Sequence, residues 1–152
     1  MKSPLSLRRE HEELHADLAH AGQMPGLLGQ TARDVARLMH PHFLREDEYA
    51  IPPLSLLPRL ARGQVTPDMA DVLPLVARLK EEMPLMIEEH RAILGAVRAF
   101  ALAAESDDDE KCIRLAAELT VHAQLEEEVL YPAAVLVGAY VRAALKPQAV
   151  RV

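Results

Sequence analysis

The chain has 152 residues, half of them hydrophobic yet only 3% aromatic, with one Cys, no Trp and a formal net charge of −6. That length suits one domain, taken as residues 1–152 with a core over about 7–140, while the acidic balance argues against nucleic-acid binding, which needs a basic face. The lone Cys112 excludes an intrachain disulfide framework and a cysteine-rich zinc site, and with no secretory signal and no run near the roughly 18 apolar residues of a membrane span, a soluble cytoplasmic setting without membrane partners is expected.

Abundant Ala, Leu, Glu and Arg, without β-branched runs of period two, predict an all-α chain. Ser3-Pro4 marks the first helix start, with Ser3 as the cap. Leu7, Leu14 and Leu18 form its apolar stripe, with His11 and His15 close to it, and Gly22, Pro25 and Gly26 end it. A second helix runs from about Leu27 or Thr31 towards Tyr49, with Val35, Leu38, Met39 and Phe43 at helical spacing. Pro52-Pro53 stops or kinks it. Leu54 to Arg62 reads as a short helical turn interrupted at Pro58, and 63–67 as a loop. The third helix spans about Asp68 to Glu105, with the stripe Met83, Ile87, His90, Leu94 and Val97, and kinks or a break at Pro74 and Pro84. The acidic run Ser106 to Asp109 feeds a fourth helix. That helix continues through Tyr131, kinks at Pro132 and extends towards Ala144, with a frayed tail after Lys146. Cys112, Met24, Met39, Met69, Met83 and Met86 are expected in the core. Four amphipathic helices with short connections predict an up-down-up-down four-helix bundle with Pro-kinked helices.

The chemistry lies in an internal repeat. His122 and Glu126 stand four residues apart, so they stack on one helix face. That face is partly apolar, and an unpaired buried carboxylate is very costly. His42 and Glu46 repeat the pair, and each Glu has a Pro six residues on, Pro52 and Pro132. Glu10-His11 matches Glu89-His90, and the His-to-His separations are 31 residues in the first half and 32 in the second. In an antiparallel bundle this repeat relates the halves by a pseudo-twofold axis. His11, His42, His90 and His122 then converge with Glu46 and Glu126 at one depth. A dinuclear metal site is the economical explanation. Imidazole with carboxylate and no thiolate suits iron, zinc or manganese.

The motifs Glu-His-Glu-Glu-Leu-His (10–15), His-Phe-Leu-Arg-Glu-Asp-Glu-Tyr (42–49), Glu-Glu-His-Arg-Ala-Ile-Leu (88–94) and His-Ala-Gln-Leu-Glu-Glu-Glu-Val-Leu-Tyr-Pro (122–132) resemble the hemerythrin family, the HHE cation-binding domain. The resemblance covers about Leu7 to Tyr140. It implies a hemerythrin-like four-helix bundle holding two iron ions bridged by two carboxylates and an oxo or hydroxo group. It implies that His11 and His42 ligate one iron, His90 and His122 the other, and that Glu46 and Glu126 bridge. The oxygen-carrying members have a histidine where this chain has Leu94, and an Asp where it has Glu127. Glu126 is preferred as the bridge, because plus four lies roughly 40° from His122 and plus five roughly 140°. His15, four residues after His11, and Tyr49, seven after His42, are the candidates for an additional ligand or an outer hydrogen-bonding partner. Glu12, Glu13, Asp47, Glu48, Glu127 and Glu128 read as a solvated face from which one carboxylate can orient an imidazole. His20 and His40 read as surface residues.

The expected function is a non-haem di-iron protein that binds dioxygen or a related small ligand, nitric oxide or peroxide, for sensing, storage or delivery. The rival is a di-iron oxidoreductase turning over peroxide or nitric oxide, and a remote third is a metal-free structural bundle.

Overall fold

The computed structural model describes residues 1–146, all-helical and without a strand among them; the expectation for the tail after Lys146 lies outside the described residues. The α-helices are α1 (Leu5–Ala21), α2 (Gly26–Arg45), α3 (Leu57–Ala61), α4 (Val72–Ser106), α5 (Glu110–Leu125) and α6 (Tyr131–Leu145). A π turn at Glu46–Ala50 prolongs α2, and a second at Glu126–Leu130 joins α5 to α6. Short 3-10 turns at Pro52–Leu56 and Pro67–Asp71 flank α3. The helices bundle around α4, which packs on α2, α5 and α6, while α1 lies on α2 and α5.

The core is layered along the rods. One apolar cluster gathers Leu14 and Leu18 of α1, Met39 and Phe43 of α2, Ile93, Val97 and Phe100 of α4, and Leu115 and Leu119 of α5. A second gathers Tyr49, Ile51, Met86, Tyr131 and Ala134, with Leu7 packed against it. Between these layers each long rod carries one polar stretch: His11 on α1, His42–Glu46 on α2, His90 on α4, and His122–Glu126 on α5. All six side chains are buried. A third apolar cluster, with Met69, Val72, Val76 and Val137, closes the far end.

Several local expectations need correction. The first helix starts at Leu5, with Pro4 in the capping position and no side-chain cap. Ser3 is buried instead, and its carbonyl accepts the Arg8 Nε–H at 3.1 Å. Pro58 opens α3 rather than interrupting it, because Pro fits a first helical turn, where its missing N–H would be unpaired anyway. By the same reasoning Pro74 falls in the first turn of α4, and that helix continues unbroken through Pro84 to Ser106. The buried stripe of α4 runs Met86, His90, Ile93, Val97, Phe100; Met83, Ile87 and Leu94 are half-buried at its margin. Met24 is exposed rather than in the core. Asp109 does cap α5, its Oδ1 accepting the Cys112 N–H at 3.0 Å, and Cys112 is buried. The continuous rod Glu110–Leu145 contains an 18-residue window of mean hydropathy 1.4, apolar and long enough to cross a membrane.

The two π turns have a common cause in the repeated proline. In an α-helix a Pro ring presses on the carbonyl four residues back. Ahead of Pro52 the chain widens: the Ile51 N–H donates to the Glu46 carbonyl at 2.9 Å, five residues back. Ahead of Pro132 the Tyr131 N–H donates to the Glu126 carbonyl in the same way. Each widening inserts one extra residue and sets position plus five, not plus four, above the glutamate. Such π bulges concentrate at functional sites.

Gly29 allows the turn between α1 and α2 to fold tightly. A Cβ there would meet the Met24 carbonyl oxygen at 1.8 Å, whereas one at Gly95 would meet open space. Gly29→Ala is expected to destabilise the protein by about 1–3 kcal/mol through overpacking, exceeding the roughly 1 kcal/mol gained in helix propensity. Gly95→Ala is expected to stabilise it by up to about 1 kcal/mol. Urea denaturation midpoints of the two variants measure the difference.

Candidate metal centre

The polar layer is built by four helices. His42, Glu46, His90 and Glu126 each offer a donor atom within 4.8 Å of the others, and so do His11, His122 and Glu126. His42 Nε2 stands 3.1 Å from Glu46 Oε1, and His90 Nε2 stands 3.4 Å from Glu126 Oε1. His122 Nε2 stands 3.4 Å from the same Glu126 oxygen. His11 Nε2 faces the other oxygen of each carboxylate, 3.6 Å from Glu46 Oε2 and 3.8 Å from Glu126 Oε2. Each glutamate thus lies between two imidazole pairs.

The pairing differs from the one the family resemblance implies. His42 pairs with His90, ring centroids 4.6 Å apart, and His11 with His122 at 5.1 Å. The pairs therefore cross from one half of the repeat to the other, His42 with His90 and His11 with His122.

Every imidazole turns its other nitrogen towards an acid. His122 Nδ1 lies 2.8 Å from Glu10, and His90 Nδ1 lies 2.8 Å from Glu127. His11 Nδ1 faces Asp47 at 3.5 Å, and His42 Nδ1 faces Glu89 at 3.7 Å. The pattern follows the repeat: Glu10 and Glu89 each precede a histidine and serve the neighbouring rod's, as do Asp47 and Glu127, each following a glutamate. A carboxylate only accepts, so the two hydrogen-bonded rings, His90 and His122, carry a proton on Nδ1 and turn Nε2 to the centre, whereas the Nδ1 atoms of His11 and His42 have no hydrogen-bond partner. Acids behind metal-binding imidazoles fix ring orientation in this way. Glu127 is the orienting carboxylate that was expected among the flanking acids, while Glu10 and Glu89 stood only as markers of the repeat.

Two expected residues lie elsewhere. His15 is exposed, its ring 5.3 Å from that of His40, and it belongs to neither donor group. It follows His11 by one turn, but Phe43 stacks face to face on His11 at 4.2 Å and takes that inward place. Tyr49 is buried, yet its hydroxyl donates to Glu82 and contacts Met86 Sδ, under the Arg78 guanidinium. It faces away from the donor atoms. His20 and His40 are exposed, as expected.

The residue that sequence reasoning missed is Tyr131. Its hydroxyl donates to Glu46 and lies 3.4 Å from His42 Nε2 and 3.3 Å from His90 Nε2. On a straight helix Tyr131 would face roughly 180° away from His122, nine residues back. The π turn rephases it onto the inward face. The signal was the Pro six residues after each Glu, which forces the widening.

Burial and charge shape the protonation of the metal-free layer. Burial and the neighbouring Glu126 push the Glu46 carboxyl up to about 7. Burial alone would raise Glu126 too, but the close approach of Glu46, His11, His122 and His90 holds it well below the usual carboxylate range. Burial alone would lower His122, but Glu126 and Glu10 lift it to about 9. His11 and His90 are raised against their burial by Glu126. Protons on these rings balance the buried carboxylates, and a bound cation takes over that role. Several inward atoms have no hydrogen-bond partner, among them His11 Nε2, His122 Nε2, Glu46 Oε2 and Glu126 Oε2. Orphaned polar atoms converging at one depth are what a metal centre satisfies. The residues fit a metal ion.

No family model, curated protein or solved structure matches the chain. The reading of the centre rests on its own geometry.

The protonation pattern gives a pH dependence for the metal-free protein. Glu46 and His122 both hold their protons more tightly folded than unfolded, from 4.5 to about 7 and from 6.5 to about 9. Their contribution is complete at the acidic end of that range and is lost as pH rises through it. Glu126 acts oppositely, its contribution lost as pH falls below 4.5. Chelator-treated protein is therefore expected to lose melting temperature as pH rises from 4.5 to about 9, and calorimetry across that range checks it.

Proposed function

We propose that the protein is a hemerythrin-like di-iron protein that binds dioxygen or a related small ligand for sensing, storage or delivery. The observation that carries this reading is the convergence of four imidazole Nε2 atoms and two carboxylates, with unpaired inward atoms and an acid behind each ring. In this reading the rods α1, α2, α4 and α5–α6 form an up-down-up-down four-helix bundle. His42 and His90 would hold one iron and His11 and His122 the second, with Glu46 and Glu126 placed to be shared between them. Iron in such a site supplies a coordination position that a small diatomic or peroxide ligand can occupy. Manganese and zinc accept the same donors, so the metal identity belongs to the test.

The chain's own residues set what happens beside that position. Phe43 lays an apolar face on the His11 ring, 4.2 Å between centroids, and meets the His122 ring edge-on at 6.0 Å. Glu127 and Glu10 fix the His90 and His122 rings by hydrogen bonds and raise their basicity. A second reading, an oxidoreductase acting on peroxide or nitric oxide, is favoured by one observation: an ionisable phenol, Tyr131, stands at the centre itself, beside His42, His90 and Glu46.

Protein from iron-supplied cells is expected to carry about two irons per chain by elemental analysis, and His122→Ala to lose at least half of them. Less than about one iron per chain, unchanged in His122→Ala, overturns the di-iron reading. Mixing the reduced protein with oxygen separates the two functions. A reversible absorption change is expected; multiple turnovers with peroxide or nitric oxide would establish the enzyme instead.

A further inference from the structure

The two halves of the polar layer differ in what completes them. The repeat places Ile51 opposite Tyr131 and Ala123 opposite Phe43. The His42–His90 pair therefore faces a hydroxyl, and the His11–His122 pair faces a phenyl ring.

The Tyr131 oxygen touches three inward atoms together: His42 Nε2 at 3.4 Å, His90 Nε2 at 3.3 Å, and Glu46 Oε1. A phenol has one proton to give, and here it goes to Glu46. The two imidazole nitrogens then face the oxygen's lone pairs across the same gap. Either an Nε2–H on each ring or one shared cation fills that gap, and the distances suit a cation. Donor atoms bound to one metal at about 2.0–2.2 Å lie about 2.9–3.4 Å from one another. The His42–Glu46 separation of 3.1 Å and both Tyr131–His separations fall in that range, while His90 Nε2 stands farther from Glu46, at 4.0 Å, and the Tyr131–Glu46 contact is shorter.

We infer that the Tyr131 oxygen is itself a metal ligand, bound as phenolate to the cation held by His42, His90 and Glu46. This inference rests on the di-iron reading and deepens it. On binding, the ferric ion replaces the phenol proton, which leaves to solvent, as protons do when metals take acidic ligands. The His42–His90 half gains an oxygen donor from the protein. The His11–His122 half, under Phe43, has none to match it.

The chain has three tyrosines, so the assignment can be made by elimination. A phenolate bound to ferric iron gives an intense visible charge-transfer band and phenolate modes in the resonance Raman spectrum. Ferric wild-type protein is expected to show both. Tyr131→Phe is expected to lose them while keeping its iron content and helical circular dichroism. Tyr49→Phe and Tyr140→Phe are expected to retain them. If Tyr131→Phe fails to fold, the Tyr49→Phe/Tyr140→Phe double variant decides, because any remaining phenolate signal then belongs to Tyr131. A wild-type protein that binds iron without the band overturns this inference and leaves the di-iron reading standing. A band that survives in folded Tyr131→Phe, or disappears in the double variant, overturns it too. Protein that takes up no iron sinks both.

Discussion

Two carboxylates buried side by side between apolar layers are the constraint from which the rest of this structure follows. Glu46 and Glu126 are almost fully excluded from solvent, and an isolated carboxylate in such surroundings is costly enough to be neutralised or paired. Each feature of the polar layer meets that cost. Four imidazoles face the carboxylates, four acids stand behind the imidazoles, and Tyr131 donates to Glu46. Without a cation the balance is held by protons, with Glu46 raised and three of the rings raised alongside it. With a cation the same atoms become donors. The arrangement is organised around positive charge in either state.

The layering explains why so polar a group is compatible with a stable bundle. On every long rod an apolar turn precedes the ligand position and another follows it: Met39 and Tyr49 about His42–Glu46, Met86 and Ile93 about His90, Leu119 and Tyr131 about His122–Glu126. The apolar clusters on either side hold the rods and exclude water, so the polar atoms can meet only one another. The exchange of acids between neighbouring rods repeats in both halves, closer at His90 and His122 than at His11 and His42, and Tyr131 against Ile51 and Phe43 against Ala123 depart from the symmetry.

Much of the centre was legible from the chain because its spacing is helical and doubled. His42 and Glu46 stack by the plus-four rule, His122 and Glu126 repeat it, and the matched His11 and His90 fix which other rods contribute. What failed was whatever crossed a change in helix geometry or depended on which rods meet. Tyr131 was hidden because a π turn breaks the angular rule that had been applied across it. Tyr49 was favoured because seven residues make nearly two α turns, but part of its path from His42 is π-helical, and its hydroxyl found Glu82 instead. His15 keeps the helical spacing to His11, but a phenyl ring from α2 occupies the inward position. The crossed pairing of the histidines depends on tertiary contact, about which periodicity is silent. The same holds for α4, where two adjacent stripes share His90 and Val97 and only packing selects between them.

The partners at this centre are remote in the chain. Glu10 and His122 meet across 112 residues, and Glu46 and Tyr131 across 85. A cation held between His11 and His122 therefore ties the first helix to the last rod. In a chain whose single cysteine leaves no intrachain disulfide to form, a cation at that position would act as a staple. Closing a loop of this length removes conformational freedom from the unfolded chain, on the order of 4–5 kcal/mol by the entropy argument used for covalent crosslinks. Loading with metal would then add to a fold that the apolar clusters already hold, and would do so by joining the two ends of the chain.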